Sequence, residues 1–138
     1  MRTVIFIILM AVNTASVFAD TGNPVRVIIG EAAGEGFDGM TAVGEVYRNR
    51  IRNRIPVTGS AFSCLSRTNL DAFIKRQGPK ISGMAELAWT RSETSGLTAG
   101  ADHYMTTRLY NSGKRPRWAG KMAVTVVIGD HTFLRSKK

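Results

Sequence analysis

The stretch Ala123-Val124-Thr125-Val126-Val127-Ile128-Gly129-Asp130-His131-Thr132-Phe133-Leu134 decides the fold class. Two runs rich in β-branched and aromatic residues flank a Gly-Asp pair, and a two-residue connection of that kind suits a type II′ hairpin turn. Upstream, Ala101 to Met105 reads as a further strand, with Lys114-Arg115-Pro116-Arg117-Trp118 as a loop between. Before the strands the period is helical. Asn23-Pro24 reads as an N-cap followed by proline at the first helical position, opening a helix from Val25 to about Gly34. Asp38 is placed to cap a second helix, in which Met40, Val43, Val46, Tyr47 and Ile51 recur at spacings of three and four, as one buried face does. Ser82 opens a third helix to about Thr94, with Met84, Leu87, Ala88 and Arg91 on one side and Gly96 closing it. Residues 55–81 read as a long surface loop with a short helix around Leu70 to Lys75, and long loops in compact domains often line binding sites. N-terminal helices followed by a short antiparallel sheet make the chain α+β.

The 138 residues suffice for one domain. The first 19 differ from the rest: Arg2 gives a positive start, Val4 to Val12 is an apolar run of 9 residues, and Val17-Phe18-Ala19 resembles a signal-peptidase site. Such a run is too short to span a bilayer as a helix and suits a signal-peptide core. Residues 1–19 are therefore expected to be a signal peptide and residues 20–138 the mature protein, exported to the periplasm, cell wall or medium; the alternative is an uncleaved membrane anchor. Without Arg2 the chain has 18 basic and 10 acidic residues, a net charge of +8. A basic surface attracts polyanions, and the export signal favours an anionic cell-wall surface over nucleic acid as the partner; the alternative is that the charge serves solubility alone. Cys64 is the single cysteine, which excludes an intramolecular disulfide and any multi-thiolate metal site. It reads as a small buried apolar residue, since nothing in the sequence places a base beside it.

Chemistry concentrates in Gly30-Glu31-Ala32-Ala33-Gly34-Glu35-Gly36. Glu31 follows Val27, Ile28 and Ile29 and precedes two alanines, and a carboxyl in an apolar setting has its charged form disfavoured, as a general acid near neutral pH requires. Glu35, four positions on, would share its helical face. The alternative is two ordinary glutamates on a short helix. Gly34-Glu35-Gly36-Phe37-Asp38-Gly39 has GxGxxG spacing without a preceding strand, and reads as a tight helix–helix connection rather than a phosphate cradle. His103 and His131 fall in strands and show no HExxH-like spacing, so each reads as structural, and no metal or cofactor is expected. No GxSxG element supports serine catalysis. Tyr104, Tyr110, Trp118 and Phe133 are aromatic faces on which sugar rings could stack, or core residues.

These blocks carry a resemblance. Val27 through Gly36, with Gly39, Ala42-Val43 and Arg48-Asn49-Arg50, resembles the opening of the cell-wall hydrolase family typified by spore cortex-lytic (SleB-like) enzymes. Ala101-Asp102-His103-Tyr104, Trp118-Ala119, Met122, Thr125, Ile128-Gly129 and His131 to Arg135 resemble its closing block, so the likeness spans residues 26–135. It implies a lysozyme-like, transglycosylase-like domain that cleaves the β-1,4 bond between N-acetylmuramic acid and N-acetylglucosamine in peptidoglycan glycan strands, with Glu31 catalytic. Glu35 is the candidate auxiliary; His103, Tyr104 and Trp118 are the candidates for holding the glycan. Two departures stand out. Ala61 occupies the place of a glutamine in the segment Ala61-Phe62-Ser63-Cys64, and residues between Ser66 and Gly83 have no clear counterpart. The rival readings are a two-carboxylate hydrolytic muramidase, an amidase or peptidase, and a basic envelope-binding protein without catalysis. The sequence specifies no oligomeric state.

The leader reading has a direct check. N-terminal sequencing of exported protein should begin at or near Asp20, and a mature chain still starting at Met1 would favour the anchor instead.

Overall fold

A computed structural model describes residues 22–137, so the leader reading lies outside the described residues. Helix α1 (Pro24–Ala32) opens as its sequence predicts: Pro24 sits in the first turn and the Asn23 side chain accepts a hydrogen bond from the Val25 amide at 3.0 Å. A short turn at residues 33–35 leads into α2 (Gly36–Arg52). Asp38 is not its cap. The helix starts two residues earlier, and Asp38 instead pairs with Arg91, while its charge still suits the first helical turn. Met40, Val43, Val46 and Tyr47 are buried as expected, but Ile51 is 51% exposed, because the final turn of α2 runs past the core.

The segment 55–81 is less of a loop than its composition predicts. Two short 3-10 turns, Gly59–Ala61 and Ser63–Ser66, lead into α3 (Leu70–Arg91), which is kinked at Gly78 (φ 78°, ψ 175°). The residue before a proline is pushed out of the α region, yet Pro79 then serves as the opening of a new helical stretch, so a Gly-Pro pair that reads as a loop interrupts one helical path without ending it. The buried side of α3 is Ala85 and Ala88, flanked by Ile81, Met84 and Trp89. Leu87, expected on that side, is 64% exposed; it lies one position from Ala88, about 100° around the helix.

The sheet contains β1 (His103–Thr106), β2 (Ala123–Ile128) and β3 (His131–Arg135), in the order β1-β3-β2, all antiparallel. A four-residue helix, α4 (Thr107–Tyr110), follows β1. The Gly129-Asp130 hairpin forms as the sequence predicts, with Gly129 at φ +55°. Being central, β3 is buried from His131 to Leu134. A register irregularity between Val124 and Val126 interrupts its pairing with β2. Val27 and Ile28 of α1, Met40, Val43 and Val46 of α2, Ala85 and Ala88 of α3, and Phe133 of β3 form one core. A smaller cluster of Met105, Ala119 and Leu134 holds the 110–122 segment against the sheet. The fold is thus α+β. Among the described residues no helix is long and apolar enough to cross a membrane.

One buried carboxylate locks α2 to the turn after α3. Glu45 accepts the amides of Leu97 and Thr98, each at 2.7 Å, the Thr98 hydroxyl at 2.6 Å, and the Ser95 hydroxyl. Leaving a buried donor unpaired costs about 1–3 kcal/mol. Glu45→Ala strands two amides and should therefore lower stability by roughly 3 kcal/mol or more, read as a reduced urea midpoint with an unchanged slope. A drop under about 0.5 kcal/mol, the ordinary size of a surface change, would mean that the turn does not hold α2.

Candidate functional site

Glu31 lies in the last turn of α1, one turn beyond the fully buried Val27 and Ile28, where the helix leaves the core. Its oxygen Oε1 accepts the Ser63 hydroxyl at 2.9 Å and the Cys64 amide at 2.6 Å. The carboxyl is therefore not in the apolar setting its neighbours suggest: its flanking residues are apolar, but its partners come from the 3-10 turn 32 positions away. Gly30 permits this approach. A Cβ at Gly30 would lie 2.6 Å from the Cys64 Cβ and 2.8 Å from its Sγ, closer than any packed carbon tolerates. Cys64 is buried as expected. Burial, and secondarily the charge of Glu31, push its thiol up to about 12, so it stays protonated and is no nucleophile.

Glu35 does not share a helical face with Glu31, because α1 ends at Ala32 and the turn intervenes. Its Oε2 accepts the Asp130 amide at 3.0 Å and lies 3.8 Å from Nδ1 of His131. It crosses the molecule to clamp the β2–β3 hairpin, where a side chain at Gly129 would collide with its carboxylate. The two carboxylates have different places: Glu31 in a cleft, Glu35 at a turn.

That cleft has a volume of about 530 Å³ and is lined by all four residues of β1, an edge strand, together with Glu31 and Trp118. Glu31, His103, Tyr104 and Trp118, separate candidates in the sequence, all line it. Trp118 is 43% exposed, its ring 5.3 Å from that of His103. Tyr104 contributes differently. Its ring packs on Phe133 and edge-on to His131, at 5.6 and 5.2 Å, and its buried hydroxyl makes no well-formed hydrogen bond. Burial first, then the neighbouring Glu31, raise its pKa well above the ordinary phenol value. It is a neutral O–H donor held beside the carboxylate rather than an open stacking face.

Four other residues on the cleft wall have no site role in the sequence: Arg50, Ser63, Arg67 and His131. Ser63 had a signal, since it belongs to the segment Ala61-Phe62-Ser63-Cys64; His131 reads as structural and is in fact both partner of Glu35 and wall of the cleft. Arg50 is fixed by donating from Nε to the Pro56 carbonyl at 2.8 Å and from a terminal nitrogen to the Asp102 carbonyl at 3.2 Å.

Behind the cleft sits Asp102, with its side chain 1% exposed. Its Oδ1 meets His103 Nδ1 at 2.9 Å and accepts the Ser136 amide and hydroxyl at 3.0 and 3.1 Å, and Oδ2 accepts Asn53 Nδ2 at 3.2 Å. A carboxylate on Nδ1 fixes a histidine tautomer, leaving Nε2 as the acceptor. Among the described residues no group of three or more His, Cys, Asp or Glu is placed to hold a metal ion. Compared with protein-family models, curated proteins and solved structures, the chain finds no match.

Burial tends to raise the Asp102 carboxyl, but the bonds from His103 and Ser136, with the charge of His103, outweigh it and hold the carboxyl below its ordinary value. The folded-state value is thus below the unfolded one, so ionised Asp102 contributes stability that is present above about pH 4 and is lost as pH falls through the folded value. Urea midpoints measured from pH 7 to pH 3 should fall on acidification for the wild type. Asp102→Asn should be less stable at pH 7 and show a shallower acid decline; parallel curves for the two proteins would disprove the coupling.

Proposed function

We propose that the chain is an exported peptidoglycan-cleaving glycosidase of lysozyme-like architecture. It cuts the β-1,4 bond between N-acetylmuramic acid and N-acetylglucosamine as a lytic transglycosylase. The observation that carries this reading is the cleft itself: one half-buried carboxylate, anchored through a single oxygen, faces a groove that also bears the exposed Trp118 and Arg67. Glu31 is also the sole carboxylate among the described residues on its wall. The resemblance of both end blocks to the SleB-like family supports the same reading and supplies the substrate.

The chemistry follows from the anchoring. Oε1 already accepts a hydroxyl and an amide, so the proton of the neutral acid rides on Oε2. Glu31 gives that proton to the glycosidic oxygen as the C1–O bond breaks, through an oxocarbenium-like state. The resulting carboxylate is stabilised where it stands by the Ser63 and Cys64 donors, with the Tyr104 hydroxyl beside it. It then takes the proton of the muramic acid 6-hydroxyl as that oxygen bonds to C1, closing an anhydro ring and restoring the acid. A two-carboxylate hydrolase would need its second carboxyl about 5–9.5 Å away across the bond, and Glu35 is spent on the hairpin. Trp118 and His103 supply a stacking edge for the glycan.

Digestion of purified peptidoglycan tests the assignment. General acid catalysis is worth about 100- to 10,000-fold, so Glu31→Gln should abolish clearing while circular dichroism shows an intact fold. Glu35→Gln keeps an acceptor for the Asp130 amide and should lose little rate. Wild-type products should weigh one water less than hydrolysed ends. An active Glu31→Gln variant would remove the central assignment; reducing ends together with an inactive Glu35→Gln variant would make it a two-carboxylate muramidase. Binding without clearing would leave a basic envelope-binding protein.

A further inference from the structure

The arginines that alternate along the end of α2 part in direction. Arg48 lies over the Trp89 ring at 3.6 Å and donates to the Ser92 hydroxyl and the Trp89 carbonyl. Arg50 turns toward the cleft. Arg52 opens into a second and larger hollow of about 1030 Å³, shared with Asn53, Gly100, Arg135, Ser136 and Lys137. Asp102 belongs to the wall of this hollow, and its partner His103 to the wall of the cleft. One buried carboxylate therefore separates the two.

The electrostatics of the hollow are one-sided. Among the described residues Arg52, Arg135 and Lys137 form no ion pair. Asp102 is the sole acid among the described residues of the wall, and its two oxygens are taken by His103, Ser136 and Asn53. Arg52 donates to Asn49 Oδ1 at 2.8 Å, and Arg135 to the Ala99 carbonyl at 3.4 Å. Both partners are neutral, so they position the guanidinium groups without cancelling their charge. Three cations around a concave surface focus a positive field, and folding leaves them to repel one another unless an anion joins them. Among the described residues the wall holds no aromatic side chain. Bases stack on aromatics in single-strand nucleic-acid sites, and here they would find no platform.

We infer that this hollow is a docking site for a phosphodiester polymer without bases, a polyol-phosphate chain of the kind an anionic envelope offers. Arg52, Arg135 and Lys137 contact its phosphates, which would hold the protein on such a surface with the cleft left free. The inference rests on the hollow alone and is read by binding, so it stands or falls separately from cleavage.

Titration of the 15N-labelled protein with poly(glycerol phosphate) at low salt tests it. Amide shifts should concentrate at Asn53, Gly100 and Ser136. Removing one phosphate-binding cation lowers the slope of log K against log salt by about one, so Arg52→Ala with Arg135→Ala should reduce that slope by about two and weaken binding at low salt. Shifts scattered over Lys75, Arg76 and Lys80, or a double variant that binds like wild type, would overturn the inference. So would single-stranded DNA of equal charge that binds the same amides as tightly.

Discussion

The arrangement depends on one buried carboxylate. Asp102 draws a ring nitrogen from β1, an amide and a hydroxyl from the segment after β3, and a side-chain amide from the end of α2 onto two oxygens. Its own carbonyl takes Arg50 and its amide reaches the Leu134 carbonyl. A carboxylate buried to this extent is tolerable only because its lone pairs are filled. The same requirement fixes where the helical layer meets the sheet, and thereby how far Glu31 on α1 stands from His103 on β1. Glu45 does the equivalent work in the middle of α2, where it fastens the chain that returns from α3 toward β1.

With the layers fixed, each wall of the cleft has its own source of rigidity. On the helical side the close approach of Gly30 and Cys64 brings the Ser63–Ser66 turn near enough for two donors to reach Glu31. On the sheet side Glu35 braces the hairpin, and the Phe133, Tyr104 and His131 rings pack in sequence behind the groove. The two glutamates of one short motif thus divide their work. Glu31 presents a carboxyl to the cleft, and Glu35 holds the hairpin whose His131 belongs to the cleft wall.

Positive charge is distributed by similar local causes. Burial lowers the pKa of Arg48 and of Arg50 from the ordinary arginine value, and each compensates with carbonyl or hydroxyl acceptors. These two are structural cations. Arg52, next in the alternation, keeps its charge toward solvent. A net charge of +9 therefore describes at least two populations, and only the exposed one can act at a distance.

Much of the helical layer was legible because its signals are local. The Asn23-Pro24 cap, the 3.6-residue period of α2 and the Gly129-Asp130 turn each depend on neighbours a few positions apart, and the α+β class follows from them. The sequence also singled out Glu31, His103, Tyr104 and Trp118, though not that they share one cleft. What it misplaced depends on long-range partners. Asp38 reads as a cap until Arg91 is seen beside it, Glu35 reads as a neighbour of Glu31 until the helix ends and Asp130 claims it, and the Gly78-Pro79 pair reads as a loop although helix continues beyond it. By itself the sequence determined α1, α2, the three strands and their hairpin, and which residue types could do acid chemistry. Only the tertiary structure decided that Ser63 and Cys64 hold Glu31 and that Asp102 holds His103. Those bonds join residues 32 or 33 positions apart, or turn on a burial that no local pattern encodes.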